Sequence, residues 1–175
     1  MSSFSNEQLN SIDLPRVEDI CFVPIEKDYL KILLLYISLS NIILTVILSA
    51  YFIFKPFALP STALYSILTI ASIRIAWSYY STVKSFPHKA FALREKDIIY
   101  KSGWLWRHMV TAPFNRVQHI QIDQGVLERQ FNLSKLKIFT AGGSSSDITI
   151  PGLRPEQSAR LKQFIVAKTA LDEEE

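Results

Sequence analysis

The chain has 175 residues, of which 49% are apolar, and a formal net charge of +3 at neutral pH. One domain would fit that length, but the apolar residues are concentrated in two runs, which argues against a soluble domain with one evenly patterned core. The lone cysteine, Cys21, excludes an intrachain disulfide, and an inert small side chain is expected there.

Residues 1–30 carry scattered apolar side chains, two prolines and six acids. They are expected to form a cytoplasmic segment lying along a membrane surface or partly unfolded, without a site. From Ile32 to Phe54 there is no charge, and Pro56 to Ile73 is a second uncharged run that continues past Arg74 to Val83. A helix needs about 20 apolar residues to cross a bilayer. Neither run has a polar stripe at helical spacing, and the first begins too late for a secretory signal. Residues 31–84 are therefore predicted to be a transmembrane hairpin, with spans at about 32–54 and 61–83. Its turn lies in "FKPFALPS", where Pro56 and Pro60 break helix. Lys84, Lys89, Arg94, Lys96 and Lys101 follow the second span, and Arg16, Lys27 and Lys31 precede the first, against Lys55 alone in the turn. That bias places both ends in the cytoplasm of a multi-pass membrane protein.

Asn41 lies ten residues after Lys31 and Arg74 ten before Lys84. In such a hairpin both sit about 15 Å from the cytoplasmic edge. A guanidinium at that depth is costly, so Arg74 is expected either to donate to Asn41 or to an acid on a partner helix, or to stretch toward the headgroups. Ser72 and Ala76 would let a neighbouring helix approach.

From His88 the pattern changes to short alternating segments. "KAFALR", "DIIYKS", "GWLWRHMVTA", "RVQHIQID", "KLKIFTA" and "DITIP" are predicted as six antiparallel strands, and "EQSARLKQFIVAKTAL" as a closing helix with Ala159, Leu161, Phe164, Ile165 and Ala167 or Lys168 on one face. Residues 88–170 thus form a small domain of α+β class, followed by an acidic tail at 171–175. Lys84 to Ala170 holds fourteen basic and six acidic side chains, a net +8, beside a surface that is anionic in most cells. Lys84, Lys89, Lys101 and Arg107 are the cations expected at that surface. Trp104 and Trp106 share a strand face in this reading, either buried in the domain or touching the interface.

In "VQHIQID" strand alternation puts Val117, His119, Gln121 and Asp123 on one face, and Gln118, Ile120, Ile122 and Gln124 on the other. After Gly125, "VLERQFNL" is predicted to make one helical turn that directs Val126, Leu127, Phe131 and Leu133 inward. The polar face of His119, Gln121 and Asp123 is a candidate partner-docking surface, with an ordinary solvated sheet face as the simpler alternative.

The ordered run Arg116-Val-Gln, Gln124-Gly, Arg129, Asn132-Leu133, Thr140-Ala-Gly and Ile150-Pro-Gly-Leu resembles the YdbS-type bacterial pleckstrin-homology (PH) membrane proteins. The resemblance covers Lys89 to about Ala170 and extends to the two preceding spans. It implies a PH-like β-barrel with a capping helix behind a two-helix hairpin, no known enzyme activity, and a partner such as a larger membrane protein with several copies of the domain.

Chemistry is otherwise sparse. His119 and Asp123 stand about 13 Å apart along a strand, too far to share one metal ion. His88 and His108 lack partners at ligand spacing, and no phosphate loop or nucleophile motif is present. "AGGSSSD" could cradle an anion but reads first as a hairpin turn. The first hairpin, Arg94 to Asp97, has two bases and two acids and makes a poor phosphoinositide pocket. No cofactor, metal or nucleic acid is expected. The expectation is a non-enzymatic bacterial membrane protein presenting a cytoplasmic interaction domain to another membrane protein; the alternative is a lipid-binding or transport accessory that contacts anionic lipid directly.

Overall fold

The computed structural model describes residues 20–54, 60–141 and 148–172. Strand β1, Val23–Pro24, leads into helix α1, Asp28–Phe54. Asp28 sits in the first turn of α1, where an acid suits the positive helix end. Helix α2, Ser61–Ser85, starts behind Pro60, whose carbonyl accepts from the amides of Ala63 and Leu64. Pro87 ends it through a single 3-10 turn, Phe86–His88. Ser66, Thr69 and Ser72 each donate to the carbonyl four residues back, which satisfies hydroxyls that have no other partner on an apolar helix. Among the described helices α1 is long and apolar enough to cross a membrane. At 25 residues α2 is about 37 Å long, but Arg74 and its many hydroxyls make it less apolar.

The β region follows as β2 (Ala90–Leu93), β3 (Asp97–Ser102), β4 (His108–Pro113), β5 (Val117–Asp123), β6 (Ser134–Thr140) and β7 (Ile148–Leu153). A one-turn helix α3, Val126–Gln130, joins β5 to β6, and α4, Pro155–Asp172, closes the described chain. All pairings are antiparallel, in two sheets ordered β1-β2-β3-β4 and β5-β6-β7, so the pairing is not one continuous barrel ladder. Phe91, Ile98 and Ala112 from the first sheet meet Ile120, Leu136, Ile138, Ile148, Ile150 and Leu153 from the second in one core. Phe114 fills the corner between them. Helix α4 seals this core with Leu161 and Ile165, and its Phe164 ring stands edge-on to Phe114 at 6.2 Å.

Several expectations need correction. The N-terminal segment contributes to the sheet: Val23 pairs with Phe91 and Pro24 with Ala90, so it is not merely surface-lying up to residue 30. "GWLWR" is an irregular loop, and β4 begins only at His108. Gly103 causes this, with φ +91 and a backbone so close to Trp106 that an added Cβ would lie 1.9 Å from its carbonyl oxygen. Trp106 is accordingly 77% exposed rather than buried. An irregularity in the β5–β6 register between Val117 and His119 breaks strict alternation, so Val117 packs against the core together with Ile120. Val126, expected inward, is 86% exposed, and the buried member of α3 is Glu128. On α4 the inward positions are Ser158, Leu161 and Ile165, while Ala159 and Ala167 face out. The anion-cradle turn at 142–147 and the hairpin turn at 55–59 lie outside the described residues, as do residues 1–19 and the last three of the acidic tail.

Candidate functional site

Three polar constellations lie where the two long helices meet each other and the β domain. The first is a ladder between α1 and α2. Asn41 is 6% exposed and accepts a 2.7 Å hydrogen bond from an Arg74 terminal nitrogen through its side-chain oxygen. Its amide nitrogen donates to Ser78 Oγ at 3.3 Å, and one turn earlier Ser38 Oγ meets the Tyr79 hydroxyl at 2.9 Å. The Arg74 side chain is otherwise exposed on α2, and none of the ion pairs among the described residues includes it. A guanidinium has five N–H donors, and the Asn41 oxygen takes one of them. A shallow groove of about 370 Å³ beside the ladder is lined by Asn41, Ile42, Thr45, Val46 and Tyr79.

The second constellation fixes the β domain to the base of α1. Gly152 has φ +67, and an added Cβ would meet Tyr29 at 2.8 Å, so the first turn of α1 presses directly on β7. The Glu26 amide donates to the Gly152 carbonyl at 2.9 Å, Arg154 pairs with Glu26 at 3.0 Å, and Ile32 is fully buried. Beside this contact Glu128, 1% exposed, is paired with Lys135 at 2.5 Å. Burial pushes the Glu128 carboxyl up, but the Lys135 hydrogen bond, its own backbone N–H and the Lys135 charge outweigh that and leave it below the ordinary glutamate value. Conversely, the Glu128 hydrogen bond raises Lys135 against its burial, with the Glu128 charge and the α1 hydroxyls of Tyr29 and Tyr36 adding to the effect. A Cβ at Gly125 would lie 2.4 Å from Glu128 Oε2, so a larger residue there would displace the carboxylate from this position. Sequence reasoning missed this group because a glutamate in a one-turn helix reads as solvated. Its available signal was a glycine three positions before the glutamate, which leaves room for the carboxylate to fold back over the helix start.

The third lies at the base of α2. Trp77, Tyr80 and Trp104 form an aromatic chain with centroid spacings of 5.9 and 5.8 Å. The loop bearing Trp104 thus rests on the flank of α2. Of the four predicted surface cations, Lys101 and Arg107 come together around one cleft, with Lys101 Nζ 3.7 Å over the Phe22 ring. Lys84 is exposed on the last turn of α2, and Lys89 is half-buried, with burial pulling its ammonium below the ordinary lysine value.

The face of His119, Gln121 and Asp123 is largely satisfied by its own sheet. His119 stacks on Phe139 at 4.0 Å, and Asp123 accepts from Gln121 and Lys137, each at 2.6 Å. The Lys137 hydrogen bond is the main cause that holds the Asp123 carboxyl below its ordinary value. Arg94 and Asp97 likewise neutralise each other in the first hairpin. No three His, Cys, Asp or Glu side chains converge as a metal site among the described residues.

A family model described as the bacterial PH domain matches residues 30–169. The chain belongs to the bacterial PH domain family. That match begins inside α1, so the long helices are part of the unit this family shares, which is a membrane-associated and generally non-catalytic one. The chain is similar to the UPF0699 transmembrane protein YdbS of Bacillus subtilis (strain 168), 36% identical over 75 residues that cover 43% of this chain and 45% of that protein. It is also similar to the UPF0699 transmembrane protein YdbT of the same organism, 25% identical over 89 residues, 50% of this chain and 18% of that protein. The chain thus spans less than half the length of either relative. No solved structure matches.

Proposed function

We propose that this bacterial PH protein is a non-enzymatic assembly subunit. Residues 31–84 form a two-span membrane hairpin, and residues 88–170 a PH-like domain held at the cytoplasmic surface for a second membrane protein. The observation that carries this reading is the Arg74 guanidinium, anchored on buried Asn41 yet turned outward. At membrane depth an arginine costs about 2.5–3.5 kcal/mol on insertion scales and calls for more than one neutral acceptor. A carboxylate on a neighbouring transmembrane helix would supply it, with the adjoining groove as the seat for that helix. The β domain is docked on α1 through Tyr29, Ile32 and Glu26, which supports its acting with the hairpin as one body.

The test is recovery of the full chain from its native membranes in mild detergent. Wild type should carry a membrane-protein partner in fixed proportion, and Arg74→Leu should lose it while accumulating normally. A wild type that is always alone, or an Arg74→Leu variant that keeps its partner, overturns the reading. The paired Gln121→Arg, Asp123→Arg variant asks whether the sheet face contributes as well. Its internal pairing makes unchanged recovery the expected result.

A further inference from the structure

The cleft at the base of α2 is used neither by the helix ladder nor by the contact between α1 and β7. It has a volume of about 580 Å³, and its walls come from three separate parts of the chain. Phe22 comes from the segment before β1, His88 from the turn after α2, and Lys101, Gly103, Arg107 and His108 from the end of β3, the loop that follows and the start of β4. Among the described residues no carboxylate lines it, and neither Lys101 nor Arg107 takes part in an ion pair. Two cations are therefore gathered around a concave space without a counter-charge among the described residues, whereas Arg94, Lys135 and Lys137 are each paired with an acid.

The neighbouring loop indicates what kind of anion this is. Gly103 forces the chain into a tight bend that projects Leu105, 65% exposed, and Trp106 beyond the fold. Trp104, on the same loop, stands edge-on to Tyr80, five residues inside the end of α2. At 1.5 Å per residue that contact lies about 7 Å up the helix from its base. If α2 spans the bilayer as proposed above, the loop tip enters the headgroup layer, where tryptophan is favoured, and the cleft opens beside it.

We infer that this cleft binds the phosphate of an anionic phospholipid headgroup, with Lys101 and Arg107 as its cationic clamp and the Leu105–Trp106 tip inserted in the adjoining interface. Arg107 offers a planar set of donors for phosphate oxygens and Lys101 a point charge, held in place by the Phe22 ring. His88 and His108 also line the cleft. The inference rests on the hairpin reading.

The full chain, reconstituted with equal phosphatidylglycerol and phosphatidylcholine and then examined by native mass spectrometry, tests it. Wild type should retain phosphatidylglycerol selectively, and Lys101→Gln with Arg107→Gln should lower that retention by about tenfold or more. A charge-matched control outside the cleft, Arg129→Gln with Lys162→Gln, should retain wild-type selectivity. Equal loss in the control would mean diffuse attraction and overturns the site. Displacement of the lipid by millimolar inorganic phosphate would reassign the cleft to a soluble anion. Failure of the hairpin reading is distinguishable, because a single span would put Cys21 and the C-terminus on opposite sides of the membrane and no span would release the protein in a carbonate wash, whereas failure of the cleft alone leaves a two-span protein without lipid preference. In a variant keeping Trp106 as sole tryptophan (Trp77→Phe, Trp104→Phe), lipids brominated near the headgroup should quench its emission. Quenching by aqueous iodide as complete as for free tryptophan would place the tip in water and overturn the insertion.

Discussion

A buried carboxylate is worth most when its partner and its pH range can be named, and Glu128 allows both. Its folded-state pKa is depressed, so its pairing with Lys135 stabilises the protein fully above the ordinary glutamate value. That contribution falls away as pH drops through the lower folded-state value. Glu128→Gln keeps the shape but loses the charge, and because Lys135 remains partly solvated the expected cost at neutral pH is about 1–2 kcal/mol. Urea unfolding of the full chain in detergent from about pH 7 to about pH 3 checks this. The gap between wild type and Glu128→Gln should close as pH falls, and a gap that is constant across the range would mean packing rather than charge is at stake. Tyr100 titrates at the other extreme, its hydroxyl pushed up to about 12 by burial, and contributes nothing in that range. Burial of Glu128 was hidden in the sequence because, beyond the local fit to Gly125, it depends on α1 lying beside it, a contact about a hundred residues away in the chain.

At the scale of elements, periodicity served well wherever it was strong. The uncharged runs became α1 and α2, and the alternation of Leu136 and Ile138 against Lys135 and Lys137 became β6. It failed where one glycine or one extra residue changed the phase, at the Gly103 bend and at the β5–β6 irregularity after Val117. The depth match of Asn41 with Arg74 could be read from spacing alone, because two antiparallel helices turn residue number directly into height. Ser38 with Tyr79 and Asn41 with Ser78 needed the helix rotations, which a pair of nearly all-apolar sequences does not specify. A mutant cycle measures what the ladder contributes. Arg74→Leu and Asn41→Leu should each loosen the α1–α2 pair, and the double variant should add little, giving a coupling of about 0.6–2 kcal/mol. Unfolding in mixed micelles is the readout. Additive losses would show that the two side chains act separately, with Arg74 reaching for the headgroups instead.

For the molecule as a whole, charge is distributed along the membrane normal. Lys84 to Ala170 carries +8, and both the start of α1 and the end of α2 adjoin that basic domain. The positive-inside rule predicts that this side is cytoplasmic, with the α1–α2 turn outside. That expectation rests on lysine and arginine counts, which need no tertiary structure, and the fold adds a way to measure it. Cys21 is the sole cysteine and is exposed, two residues before β1 and hence on the domain side. Ser61 is exposed at the opposite end, on the first turn of α2. A membrane-impermeant maleimide applied to intact protoplasts should leave Cys21 unmodified and label it only after permeabilisation. In a Cys21→Ser, Ser61→Cys variant the pattern should invert, with labelling of intact cells. A phosphatase joined after Glu175 should correspondingly be inactive and a fluorescent protein at the same place bright. Labelling of Cys21 in intact protoplasts would invert the topology, and with it the leaflet the aromatic loop could reach. A protected Cys21 combined with an active phosphatase after Glu175 would mean that α2 does not cross, leaving α1 as the single span.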